Sequence, residues 1–237
     1  MGPLRFPLAL GPVIGLHCFK QLFEMDDTLP SPDAKHRLIE VAIGLFADKG
    51  TDASVREICA RAGVNVSAIN YYFGDKERFY IETCKTAHRQ TCGGDWESVL
   101  AIDETLPPAE QLTRFIHEMV RRMHAPADAK AVQLMMREMS NPTAAAREVV
   151  ALFIQPIAFR LRAILQLMMP QHDPHALLMV GYSVIGQILY YRQNRRVTDL
   201  IFGPESIGSL STEQVANHIT RFTLAALGHA TPIGAGA

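Results

Sequence analysis

Apolar positions recur along this chain with a spacing of three and four, the period of a helix with one buried face. The first clear stripe is Leu38, Val41, Ala42, Leu45 and Phe46. Ahead of it stands Ser31-Pro32-Asp33, where a hydroxyl can cap free amides, proline suits the first helical position and aspartate suits the positive dipole end. Gly50 follows Lys49 and supplies a residue that takes the left-handed terminus without strain. The pattern therefore predicts a helix from about residue 31 to Lys49. A second begins at Ser54, with Val55, Ile58, Cys59 and Ala62 inward; Ser54 and Glu57 have the spacing of a capping box. Ala62-Gly63-Val64-Asn65 reads as a tight reversal in which Asn65 caps a short helix, Val66 to about Phe73. Gly74 ends that helix, and Asp75-Lys76-Glu77-Arg78 opens the next.

Longer stripes follow. Leu112, Phe115, Ile116, Met119, Val120 and Met123 come after the Pro107-Pro108 break, and Val132, Met135, Met136 and Met139 make another. Asn141-Pro142 starts a segment from Val149 to Met168 that Pro156 should kink and Pro170 should stop. Asp173-Pro174 and Ser211-x-x-Gln214 mark two further starts, the second a capping box. No strand alternation competes with these patterns, and the abundance of Ala, Leu and Met agrees with them. The expected fold class is all-α. Residues 1–30 are apolar but broken by Pro3, Pro7, Gly11, Pro12 and Gly15, and are expected to form a weakly ordered extension, with Met25 an alternative initiator.

Two short helices joined by a glycine-containing turn, Ser54 to Phe73, are what helix-turn-helix binding of DNA requires, since the first helix braces the second in the major groove. Charge adds little. The formal net charge is -1, and residues 31–90 hold nine Lys or Arg against eight Asp or Glu, so any basic surface must arise from geometry. The residues themselves sharpen the picture. The stretch SVREICARAGVNVSAINYYFGDKERFY, Ser54 to Tyr80, closely resembles the DNA-binding signature of the TetR family of transcription regulators. The RExSNPTAA segment from Arg137 and GQILYYR from Gly186 to Arg192 resemble its CecR-like subgroup.

That resemblance implies a helix-turn-helix domain over 31–80 and a larger helical regulatory and dimerisation domain over 81–237. It implies a homodimer on a double-stranded, pseudo-palindromic operator, because one recognition helix spans too few base pairs and two are set about one helical turn (~34 Å) apart. Val66, Ser67, Asn70 and Tyr72, with Arg56 at the groove, fall at positions that contact base edges. Ser54, Tyr71 and Lys76 fall at positions that hold phosphate. The chemistry is suitable: the Asn70 amide offers the paired donor and acceptor that fit adenine, Ser67 an adaptable hydroxyl, Val66 an apolar contact for a thymine methyl. Repression relieved by a small-molecule effector is the family's usual mode. Ligand entry would tilt the helix that starts at Asp75 and so change the separation of the recognition helices.

For the effector, Met119, Met123, Met135, Met139, Phe153 and Tyr182 are candidates for a malleable apolar pocket, with ordinary core packing the alternative for each. His117 and Arg137 could orient a ligand; a surface or internally paired role is the alternative. His172-x-x-His175 has a spacing compatible with metal binding but sits in a Pro-rich turn, and Cys18, Cys59, Cys84 and Cys92 lack C-x-x-C pairing. No metal or cofactor is expected. Cys84 and Cys92 would lie ~12 Å apart along a helix, too far for a disulfide; a redox- or metal-responsive regulator with the same DNA-binding head is the competing reading. Catalysis is not expected, since there is no G-x-S-x-G elbow, P-loop or H-E-x-x-H helix. A cytoplasmic location without membrane attachment is the expected setting, given no apolar run of membrane-spanning length.

Overall fold

The computed structural model describes residues 32–93, 96–203 and 209–232, and every regular element among them is helical. The expected extension over 1–30, Cys18 and the Ser31 cap lie outside the described residues. The head comprises α1 (Pro32–Lys49), a single 3-10 turn (Gly50–Asp52), α2 (Val55–Ala62), α3 (Ser67–Phe73) and α4 (Lys76–Thr91). The larger part follows with α5 (Glu97–Leu100), α6 (Pro108–Met123), α7 (Ala129–Ser140), α8 (Ala144–Val149), α9 (Gln155–Met168), α10 (Pro174–Gln193), α11 (Arg195–Phe202) and α12 (Thr212–Ala226).

Most starts and stops follow local chemistry. Gly50 and Gly63 take positive φ, 61° and 64°, at the ends of α1 and α2, where a side chain would be strained. Asp75, Asp128 and Asp173 each accept a backbone N–H at the start of α4, α7 and α10. Ser211 and Gln214 complete both halves of their capping box. Two sequence expectations are corrected. Ser54 makes no side-chain cap, because Glu57 is drawn instead to Lys49 Nζ at 2.7 Å and Arg61 Nη2 at 2.8 Å. The segment expected to run from Asn141-Pro142 begins only at Ala144, with the Thr143 hydroxyl accepting the Ala145 amide.

Pro156 acts as a widened turn rather than a simple kink. It has no N–H for the carbonyl four residues back, and the backbone ahead of it opens into a π turn, Val150–Ile154, that joins α8 to α9. The altered phase leaves Val150 40% exposed, where the stripe called for burial.

Packing does not respect the boundary expected near residue 80, which falls inside α4. One buried cluster joins Leu38, Phe46, Ile58, Ile69, Phe73 and Phe79 of the head to Ala131, Leu134 and Met135 of α7 and Ala145 and Val149 of α8. Each fully buried large side chain there contributes roughly 1.5–3 kcal/mol. A second cluster is built from α6, α9, α10 and α12, with Trp96, Phe115, Ile164 and Ile188 among its members. Phe153, in the π turn, packs against both. Thus α4, with α7 and α8 laid against it, is the shared beam of the molecule.

Candidate nucleic-acid interface

The reversal between α2 and α3 is held from several sides. The Gly63 and Val64 amides return to the Ala60 and Cys59 carbonyls at 3.3 and 3.0 Å. Arg37 Nε of α1 donates to the Ala62 carbonyl at 3.3 Å, fastening the end of α2 to α1. Asn65 Oδ1 accepts the Ser67 backbone N–H at 2.9 Å and its hydroxyl at 3.0 Å, satisfying donors left free at a helix start.

This anchoring gives α3 two distinct faces. Ala68, Ile69 and Phe73 are buried, while Val66, Ser67, Asn70 and Tyr71 point away from the core and are exposed. Tyr72 lies between, half-buried against the head cluster, its ring 5.1 Å from and nearly perpendicular to that of Tyr71. Ser54 and Arg56 are exposed at the start of α2. Every side chain expected to touch DNA is therefore exposed except Tyr72, which is half-buried.

Lys76 is exposed at the first position of α4, and its Nζ donates to the Thr51 carbonyl at 2.6 Å. An ammonium has three donors, so two remain for a phosphate. The neighbouring amides are less free, since Asp75 Oδ1 accepts the Arg78 N–H at 2.8 Å. Phosphate at this helix start would rely on the ammonium more than on the helix terminus.

The candidate pocket residues separate. A cavity of about 430 Å³, open to solvent on one side, is lined by α4, α6, α7, α9 and α10, and Met119, Met123, Met135 and Met139 all contribute to its wall. Phe153 does not; its ring stacks on His88, centroids 4.8 Å apart. Tyr182 does not line it either, being 70% exposed on the outer face of α10. Nor do the two proposed polar groups: His117 borders a groove beside α5, and the Arg137 guanidinium lies over Gly50, so close that a Cβ there would meet it at 2.6 Å. His172 and His175 are exposed.

Sequence reasoning missed His88, Trp96 and Arg192, which also line the cavity. It also missed Glu138, a carboxylate only 1% exposed. Glu138 accepts from Tyr80 Oη at 2.7 Å, from the Thr143 amide and hydroxyl at 2.7 and 2.6 Å, and from the Ala146 amide at 3.0 Å. One buried acid thereby ties α4 to α7 and to the start of α8. Burial, with Glu138 nearby, pushes the Cys84 thiol up to about 12. Burial also lowers His88 to about 4, helped by Arg89 and Arg192. Cys59, Cys84 and Cys92 are buried and free.

Comparison with known proteins places this architecture. The model for the C-terminal domain of the HTH-type transcriptional dual regulator CecR matches residues 108–227, half of the chain, and that for the bacterial regulatory proteins of the tetR family matches residues 38–83. The chain belongs to the TetR family, on its CecR-like branch. As a TetR-family transcriptional regulator it is 25% identical over 212 residues to the HTH-type transcriptional dual regulator CecR of Shigella flexneri, covering 81% of this chain and 91% of that protein. Its fold is similar to a TetR-like transcriptional regulator from Rhodococcus sp. RHA1, at a TM-score of 0.51 and 15% identity over 84% of this chain and 98% of that one. It is also similar to the fatty acid degradation regulator FadR from Bacillus halodurans, at 0.53 and 16% over 82% and 95%. No helix among the described residues is long and apolar enough to cross a membrane.

Proposed function

We propose that this TetR-family regulator is a cytoplasmic homodimer that represses by holding a pseudo-palindromic operator and lets go when a small molecule enters the methionine-lined cavity. The observation that carries the reading is the division of α3 into a buried apolar face and an exposed face of Val66, Ser67, Asn70 and Tyr71. Asn70, Ser67, Val66 and the half-buried Tyr72 read bases from the major groove, with Arg56 at its rim. Ser54, Tyr71 and Lys76 hold phosphates and fix the register.

Dimerisation has a candidate surface. Met179, Tyr182 and Tyr190 on α10 and Phe222 on α12 are each half or more exposed, large apolar side chains that a second copy of the chain would cover. Release follows from the shared beam. His88 and Thr91 of α4 line the cavity, while the other end of α4 packs beneath α3, so a ligand that fits better when α4 is tilted shifts the population away from the DNA-bound form. A switch at the Cys84 thiol is disfavoured, because burial raises its pKa and leaves little thiolate to react at neutral pH.

Selection of duplexes from a random pool by the purified chain tests the reading. It should return two related half-sites about one helical turn apart. Recovery of single, unpaired sites would refute the dimer, and an effector that binds tightly without changing operator affinity would refute the release step.

A further inference from the structure

The cavity has an uneven chemistry that narrows its ligand. Five methionines, Met119, Met123, Met135, Met136 and Met139, form much of its wall, and no Asp or Glu among the described residues lines it. Its one formal cation is Arg192, half-buried on α10. That guanidinium meets only weak or neutral acceptors, Nη2 on the Thr91 carbonyl at 2.8 Å and Nη1 on Met123 Sδ at 3.2 Å. No carboxylate among the described residues stands within ion-pair distance of it. Two more lining residues carry unused polar atoms: His88 Nδ1 and Trp96 Nε1 are buried without a hydrogen-bond partner, in side chains whose residues are 7% and 6% exposed.

A partly desolvated cation without a counter-charge is costly, and buried nitrogens without partners add to the cost. All three lie on the wall of a space of the size that small ligands fill. We propose that the cavity takes a monoanionic amphiphile, its apolar body against the methionines and its acid group on the Arg192 guanidinium beside His88 and Trp96. This rests on reading the cavity as the effector site. The methionine side chains adapt to an irregular or flexible body, while a fixed guanidinium matches a carboxylate with two N–H donors. Burial sets most of the depressed His88 pKa, and Arg89 and Arg192 lower it further, so the cavity wall near His88 carries some positive potential. A cationic ligand would meet that potential unfavourably, and a neutral one would leave Arg192 unpaired.

Trp96 is the chain's one tryptophan, so its fluorescence reports directly on the cavity. The full chain, without DNA, is titrated with decanoate, decanol and decyltrimethylammonium below their micellar ranges. Decanoate should saturate the signal at a concentration at least about tenfold lower than either analogue, the scale expected of one charge-assisted contact. Arg192→Gln should erase that preference and Arg192→Lys should keep most of it. Ala158→Phe, at the exposed rim, should weaken decanoate and decanol alike. Equal affinity for the three probes, no response to decanoate, or decanoate binding indifferent to Arg192→Gln or to Ala158→Phe would overturn the proposal. If Arg192→Gln fails to fold, the comparison of head groups on the unmodified chain decides alone. Failure to retain duplex would defeat the regulator reading without touching these titrations, whereas a flat titration would defeat the ligand class and leave duplex binding standing.

Discussion

The recognition helix and the methionine cavity are built in opposite ways. In α3, seven consecutive residues supply both the buried anchor and the exposed polar face, and the turn before it is closed by neighbours within a few positions. The cavity takes its wall from α4, α6, α7, α9 and α10, residues 88 to 193. A surface meant to enter a groove can be written in one short segment, because helical phase alone decides what points outward. A cavity between five helices exists only once they have packed, so no segment contains it.

The largest expected effect strikes the core beneath the recognition helix. Phe46 is fully buried and meets Phe79 and Tyr80 edge-on at 5.7 and 4.8 Å. Phe46→Ala should cost about 3–5 kcal/mol, seen as a drop in urea midpoint, with duplex binding lost first. An unchanged midpoint would mean that the head's core does not depend on this ring.

A pH titration probes the junction between the two regions. Folded His88 titrates near 4, below its unfolded value of about 6.5. Between these values the unfolded chain binds the proton more readily, so acid favours unfolding. The contribution is whole above pH 6.5 and fades as pH falls to 4, a loss on the order of 3 kcal/mol. Urea midpoints measured across this window should slope less steeply in His88→Gln; parallel slopes would contradict a buried neutral imidazole.

The smallest pair of effects sets a helix start in the head against one in the larger part. Ser211→Ala removes a completed capping box and should lower stability by about 1 kcal/mol. Ser54→Ala, in a similar Ser-x-x-Glu setting, should change stability by less than about 0.5 kcal/mol, since its hydroxyl caps nothing. Thermal melting of the two variants distinguishes them.

That pair also marks where the sequence was legible. Ser211-x-x-Gln214 and Ser54-x-x-Glu57 look alike locally. Only the fold reveals that Lys49, delivered by the end of α1, competes for Glu57. The helical pattern, the glycine stops at Gly50, Gly63 and Gly74, and the exposed side of α3 were all readable because each depends on near neighbours. The five lining methionines were readable on two apolar stripes, four of them as pocket candidates. Arg192, His88 and Trp96 were not, since their meeting depends on how α4, α6 and α10 cross. Tyr182 was misassigned for the reverse reason: α10 has two apolar faces, and periodicity cannot say which one meets the core. Glu138 carried a faint signal, a carboxylate inside an otherwise apolar stripe just before a helix start.

The most direct measurement of the central claim, that α3 presents its polar face to a DNA groove, is the affinity of Asn70→Ala and Lys76→Ala for a selected operator and a scrambled duplex at several salt concentrations. Asn70→Ala should lose about 1–3 kcal/mol on the operator and little on the scrambled duplex. Lys76→Ala should weaken both alike and make the salt dependence shallower by about one phosphate contact. Equal binding of operator and scrambled duplex by the unmodified chain, or an Asn70→Ala variant that keeps full preference, would contradict the account.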